Sequence, residues 1–136
     1  MNIRALLSLS VVVLLSTACA KMEVREHTSR LDKSVIQYGA DLRWGRYTDA
    51  YNYHVYRDGS QPEVNLEVLK DIKITSVKAV KPTINNEDAT EATVPYQFEY
   101  YDERYSTVKS IKQTQYWWYS EDAKRWLIES DFPRFE

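Results

Sequence analysis

The one thiol in this chain of 136 residues belongs to Cys19, which closes the stretch Ser16, Thr17, Ala18, Cys19. A thiolate is the natural sulfur nucleophile of a protein, so Cys19 can form a thioether or a disulfide. A single cysteine excludes an internal disulfide. With only His27 and His54 beside it, no cysteine and histidine set closes a structural zinc site, so neither metal nor cofactor is expected. Proton transfer would fall to His54 or to a carboxylate placed in an apolar pocket that tunes its pKa. Asp32, Asp41 and Asp49 miss the apolar stripes of their helices, and Glu99 faces away from the aromatic side of its strand. His54 alone lands on a stripe, where a lone histidine is read as a hydrogen-bonded core residue. No catalytic residue is assigned. GxGxxG, Walker, HExxH and GxSxG patterns are all missing, and three glycines leave no phosphate cradle to hide.

The surroundings of Cys19 form a three-part leader. Met1 to Arg4 is positively charged, Ala5 to Leu15 is an uncharged run of eleven, and Ser16, Thr17 and Ala18 are small. About 20 apolar residues are needed to span the hydrocarbon of a bilayer, so the run is too short for a conventional anchor. The leader reads as an export signal that is removed. Two alternatives stay open: an ordinary signal peptidase cutting after Ala20, since Ala18, Cys19, Ala20 is itself a small-x-small site, or an apolar N-terminus with no such role.

The stretch ending at Cys19 resembles the lipobox of bacterial lipoproteins, an aliphatic or small residue and two small residues before the cysteine. It departs from the commonest form in having Ser16 three before the cysteine, with Leu15 one step earlier. The resemblance implies cleavage between Ala18 and Cys19, a diacylglyceryl thioether on Cys19, and membrane anchoring through that lipid. Several buried acyl chains make such anchoring effectively permanent. Ala20 stands where an Asp would signal inner-membrane retention, so the resemblance points to the outer membrane, facing the periplasm of a bacterial envelope. The chain then divides into a signal peptide at 1–18, a lipidated cysteine and short tether at 19–29, and one domain at 30–136.

Eighteen Lys and Arg against twenty Asp and Glu give a formal charge of -2, interspersed along the chain. Nothing here neutralises a phosphate backbone, so nucleic acid is not an expected partner. The four Trp, eleven Tyr and three Phe all lie after residue 37, a composition that suits a half-buried sheet.

Around these residues the elements follow from periodicity. Ser29 with Asp32 has the form of a capping box. Leu31, Val35, Tyr38 and Leu42 then make one helical stripe, and Gly45 is a C-terminal stop. A second short helix is expected over 47–55, with Tyr47, Ala50, Tyr51 and His54 on one face. Pro62 can open a third through Leu69. From Ile72 the period becomes two: a strand over 72–80, a turn at 85–88, and a strand over 91–101 whose even positions, Ala92 to Tyr100, share one face. Pro95 makes that strand an edge or a bulge. A long strand over 105–119 needs a bulge or bend if Val108 and Ile111 are to share a face. A turn at 120–124 leads into a last strand over 125–132.

Helices followed by an antiparallel meander predict an α+β fold, N-terminal helices packed on a curved antiparallel four-stranded sheet. The helix ending at 43–53, the short helix before 72–80, and the hairpin 115–130 with Trp126 opening the last strand resemble the nuclear transport factor two-like, cone-shaped superfamily. That superfamily includes isomerases, dehydratases, carriers and interaction domains. The resemblance implies a cone, with Tyr47, Tyr51, His54, Tyr96, Phe98, Tyr100 and Trp126 as candidate lining residues. The plain alternative is that these side chains are core. Trp117 and Trp118 point to opposite faces, so one must leave the core. The outward one is a candidate surface for a protein partner or a second copy, for the bilayer interface, or for the chain's own end at 132–136. The leading expectation is a lipid-anchored, non-catalytic interaction or scaffold module. A carrier of an unidentified small apolar ligand, or an isomerase-like or dehydratase-like enzyme, are the alternatives.

Overall fold

The computed structural model describes the backbone of residues 3–136 and the side chains of residues 16–136; the positive start and apolar run of the leader, Met1 to Leu15, lie outside the described side chains. A helix, α1 (Ile3–Arg43), packs on a curved antiparallel sheet. A one-turn helix α2 (Tyr47–Tyr51) and a 3₁₀ turn at Leu66–Asp71 follow. The strands are β1 (Ile72–Ala79), β2 (Thr83–Ile84), β3 (Glu91–Asp102), β4 (Val108–Ser120) and β5 (Arg125–Ile128). Sheet order is β1-β3-β4-β5, with β2 also paired to β3, an α+β half-barrel with α1 on its concave side. No helix among the described residues is long and apolar enough to cross a membrane.

The stripe Leu31, Val35, Tyr38, Leu42 is buried against the sheet, as its spacing predicts. The helix does not begin at Ser29. No Gly or Pro interrupts the chain before Gly39, and the segment expected as a tether is helical, with Thr28 Oγ1 donating back to the Val24 carbonyl and Arg30 paired to Glu26. The end of α1 does fall where Gly45 stops it. Gly45 takes φ 74°, its N–H bonds to Leu42 and that of Arg46 to Asp41, the two bonds of a Schellman cap. Asp41, expected on the polar side, is only 3% exposed. Arg46 Nη2 at 2.8 Å and Gln37 Nε2 at 2.8 Å pair its carboxylate, so burial is compensated by charge and hydrogen bonds.

Short-range expectations shift by small amounts. The second helix stops at Tyr51, and His54 joins Ile128 in an isolated parallel bridge. The third starts at Leu66, because Asn65 caps it through a bond to the Glu67 N–H and Pro62 lies outside. On β3, Ala92, Val94, Tyr96, Phe98 and Tyr100 are all buried. The strand is internal, paired with β1 and β2 on one side and β4 on the other, and its register with β4 is unbroken through Pro95. Pro95 is tolerated because its carbonyl, and hence its missing N–H, faces Val80, in the gap between β1 and β2. β4 has no bulge either: Val108 simply faces solvent while Ile111 turns toward the core. The bulge sits in β1 at Thr75, between Ile74 and Ser76, and moves the inward position to Val77, which meets α1 where Gly39 leaves room for it. A Cβ on Gly39 would stand 3.2 Å from Val77 Cγ1.

Candidate functional site

The concave face of the half-barrel is where the candidate lining residues converge, and Tyr38 of α1 stands at its centre. Its ring makes edge contacts with Tyr53, Tyr96 and Trp117 at centroid distances of 5.8, 5.7 and 5.8 Å. Its hydroxyl lies 2.9 Å from His54 Nε2 and 3.0 Å from Gln115 Nε2. His54 Nδ1 lies 2.8 Å from the Ser130 carbonyl. A carbonyl only accepts, so Nδ1 carries the proton, Nε2 accepts from Tyr38, and Tyr38 accepts from Gln115. His54 has both ring nitrogens occupied and is fully buried. Burial pushes its pKa down to about 4, against a smaller upward pull from the Ser130 bond and Asp131. Burial likewise raises the Tyr38 and Tyr96 hydroxyls, so all three groups stay neutral at pH 7. Two further buried atoms of this interior, Gln115 Oε1 and Trp117 Nε1, have no hydrogen-bond partner among the described residues.

The chain's own end closes the mouth. After β5 it runs beside β4, held by Gln113 Nε2 on the Asp131 carbonyl and by Lys109 Nζ and Tyr100 Oη on Glu136. Phe132 and Phe135 turn inward. Phe132 meets His54 at 5.1 Å and Tyr51 at 6.2 Å. Phe135 meets Phe98 at 5.7 Å and Tyr100 at 5.1 Å. The rim tyrosines spend their hydroxyls on the backbone, Tyr47 on the Ile72 carbonyl and Tyr51 on that of Pro62.

Of the seven candidate lining residues, Tyr51, His54, Phe98 and Tyr100 come together around the two C-terminal phenylalanines, and Tyr96 stacks on Phe98 at 5.4 Å. Tyr47 sits at the rim. Trp126 lies apart: it packs on Tyr119, and its Nε1 donates to the His27 carbonyl of α1. Sequence reasoning missed Tyr38 and Gln115 as partners of His54, and Phe132 and Phe135 as the filling. Tyr38 stood on the helical stripe, but nothing local indicates which polar group meets its hydroxyl.

Trp117 and Trp118 split as alternation requires. Trp117 is in the core at 1% exposed, and Trp118 is on the outer side. Trp118 meets the loop that follows α2. Its Nε1 donates to the Val55 carbonyl at 2.9 Å, and the Arg57 guanidinium lies 5.5 Å from its ring centroid, held there by Glu91 and Glu129. The open aromatic of that face is instead Tyr116, 58% exposed, with Val108 further along the strand. Ala18 and Cys19 are exposed on α1, and the Cys19 thiol is free. Compared with protein-family models, with curated proteins and with solved structures, the chain gives no significant match to any of them.

Proposed function

We propose that this chain is a bacterial envelope lipoprotein, anchored through a lipid on Cys19 and facing the periplasm from the outer membrane. Its nuclear transport factor two-like domain then acts as a non-catalytic interaction or scaffold module. The observation that carries the second half is the filling of the concave face. Phe132 and Phe135 occupy the mouth, and the histidine inside it is bonded at both nitrogens. A neutral imidazole fixed by two partners has neither a free lone pair to accept a proton nor a proton to spare. Recognition therefore passes to the outside, where β4 presents Tyr116 and Val108 beside the Trp118 and Arg57 platform. The half-barrel architecture is compatible with the superfamily assignment, and the exposed, unpaired Cys19 is accessible to modification.

The test is made in cells carrying the full chain. A palmitate analogue should label the wild type and not Cys19→Ala; label on the variant would end the lipoprotein reading. A photo-crosslinking residue at Tyr116 should give one discrete adduct, with a second copy or another envelope protein, that the same residue at Lys33 on α1 does not give. Equal yields from both positions, or none from Tyr116, would remove the interaction face.

A further inference from the structure

At the opposite end of the half-barrel from the C-terminal plug, α1 passes the turn between β4 and β5. There Glu23 and His27, one helical turn apart, meet Glu121. The imidazole of His27 is 5% exposed and packs on Tyr119 at 4.2 Å. Its Nδ1 lies 3.1 Å from the Asp88 carbonyl, so Nδ1 carries the proton and the lone pair belongs to Nε2. Among the described residues that nitrogen makes no hydrogen bond. Glu121 Oε1 faces it at 3.9 Å, beyond hydrogen-bonding reach. One ligand atom from each of Glu23, His27 and Glu121 lies within 4.8 Å of the others, beside an open groove of about 690 Å³.

We propose that Glu23, His27 and Glu121 bind one divalent transition-metal ion of the zinc class. Nitrogen and oxygen ligands sit about 2.0 to 2.2 Å from zinc, so neighbouring tetrahedral ligand atoms are about 3.4 Å apart. The 3.9 Å between His27 and Glu121, and the separations of up to 4.8 Å within the set, are wider, and the two exposed carboxylates on flexible stems can close them. The backbone bond on Nδ1 is the outer-shell contact that orients a metal-binding histidine and fixes its tautomer. Lys124 holds Glu121 by its other oxygen, Oε2, at 2.8 Å, leaving Oε1 turned to the histidine. Lys21 and Arg25 also line the groove, so the cluster's two negative charges do not act alone, and the ion must compete with these cations. Two carboxylates and one imidazole leave at least one coordination position to water or to a partner's side chain. The ion would tie the middle of α1, four residues beyond Cys19, to the β4 to β5 turn.

The experiment uses the full chain in detergent, stripped with a chelator and titrated with Zn²⁺, with bound metal counted by elemental analysis. One zinc per chain is expected, with affinity reduced about tenfold or more in Glu23→Gln and in Glu121→Gln. Glu26→Gln, which removes the same charge one turn-edge away, and Cys19→Ser should both bind as the wild type does. Nitrogen-15 spectra should show His27 Nε2 shifting on zinc addition while Nδ1 keeps its proton. Three results would each overturn the site: binding undiminished in the double variant Glu23→Gln, Glu121→Gln; an equal loss in Glu26→Gln; or loss in Cys19→Ser with His27 unshifted.

Discussion

The two histidines of this chain are both buried, and they have opposite accounts of their nitrogens. His54, near the C-terminal plug, gives its proton to the Ser130 carbonyl and receives one from Tyr38, so nothing on the ring is left to act. His27, at the other end of the sheet, gives its proton to the Asp88 carbonyl and keeps a lone pair on Nε2, with Glu121 Oε1 3.9 Å away and Glu23 within 4.8 Å. Burial alone therefore says little about what a histidine does. The difference lies in what each second nitrogen meets, a tyrosine hydroxyl already fixed by Gln115 in one case and a charged groove in the other. The first arrangement is a closed hydrogen-bond chain that specifies one packing of the core, and the second is an open valence.

The largest expected effect separates the two by stability. His54→Ala removes a fully buried ring and strands Tyr38 Oη and the Ser130 carbonyl, which should cost about 3 to 4 kcal/mol in urea unfolding. His27→Ala, measured without metal, leaves its partners at the edge of an open groove and should cost about 1 kcal/mol. Equal costs would break the comparison. A pH series sharpens it. The His54 pKa is lowered by burial from 6.5 to about 4. The unfolded chain therefore takes up its proton before the folded one does, and stability falls as pH drops from 6.5 to 4 and is flat above 6.5 with respect to this group. The loss across that window is about 3 kcal/mol. It should be visible in urea midpoints at pH 7 and 4.5 and absent in His54→Gln. Asp102, which Arg104 holds down to about 2, titrates below the window and cannot mimic the effect.

These partners explain where the sequence was legible. Periodicity reports which face of an element turns inward, and it placed Leu31, Val35, Tyr38 and Leu42 on α1 and the even positions of β3 correctly. It does not report what meets that face. Asp41 read as solvated because Arg46, beyond the helix end, was not yet opposite it. The outward one of Trp117 and Trp118 read as a partner, bilayer or terminus contact because the Val55 carbonyl and Arg57 reach Trp118 only through the folded loop. Ser29 read as a helix start because a capping box is a local pattern, while the absence of any breaker upstream lets the helix run through it. The spacing of Glu23 and His27 was visible in the sequence. It carried no weight while that segment was a tether, and Glu121 joins the pair only through packing of α1 on the hairpin.

Smaller effects probe the open end. If Zn²⁺ binds the folded chain alone, adding it at 100 times its dissociation constant should raise unfolding free energy by about 2.7 kcal/mol, and a tenfold weaker site in Glu121→Gln should lose about half of that gain. His54→Gln should keep the gain in full, because its ring faces the other end of the sheet. The smallest effect is the most discriminating. Glu23 is exposed, so Glu23→Gln without metal should change stability by no more than about 0.5 kcal/mol. A larger apo effect would mean that Glu23 serves the fold through its surroundings, including the Lys124 charge it faces. A substitution that is silent until zinc is added, and then costly, would separate a ligand from a structural carboxylate.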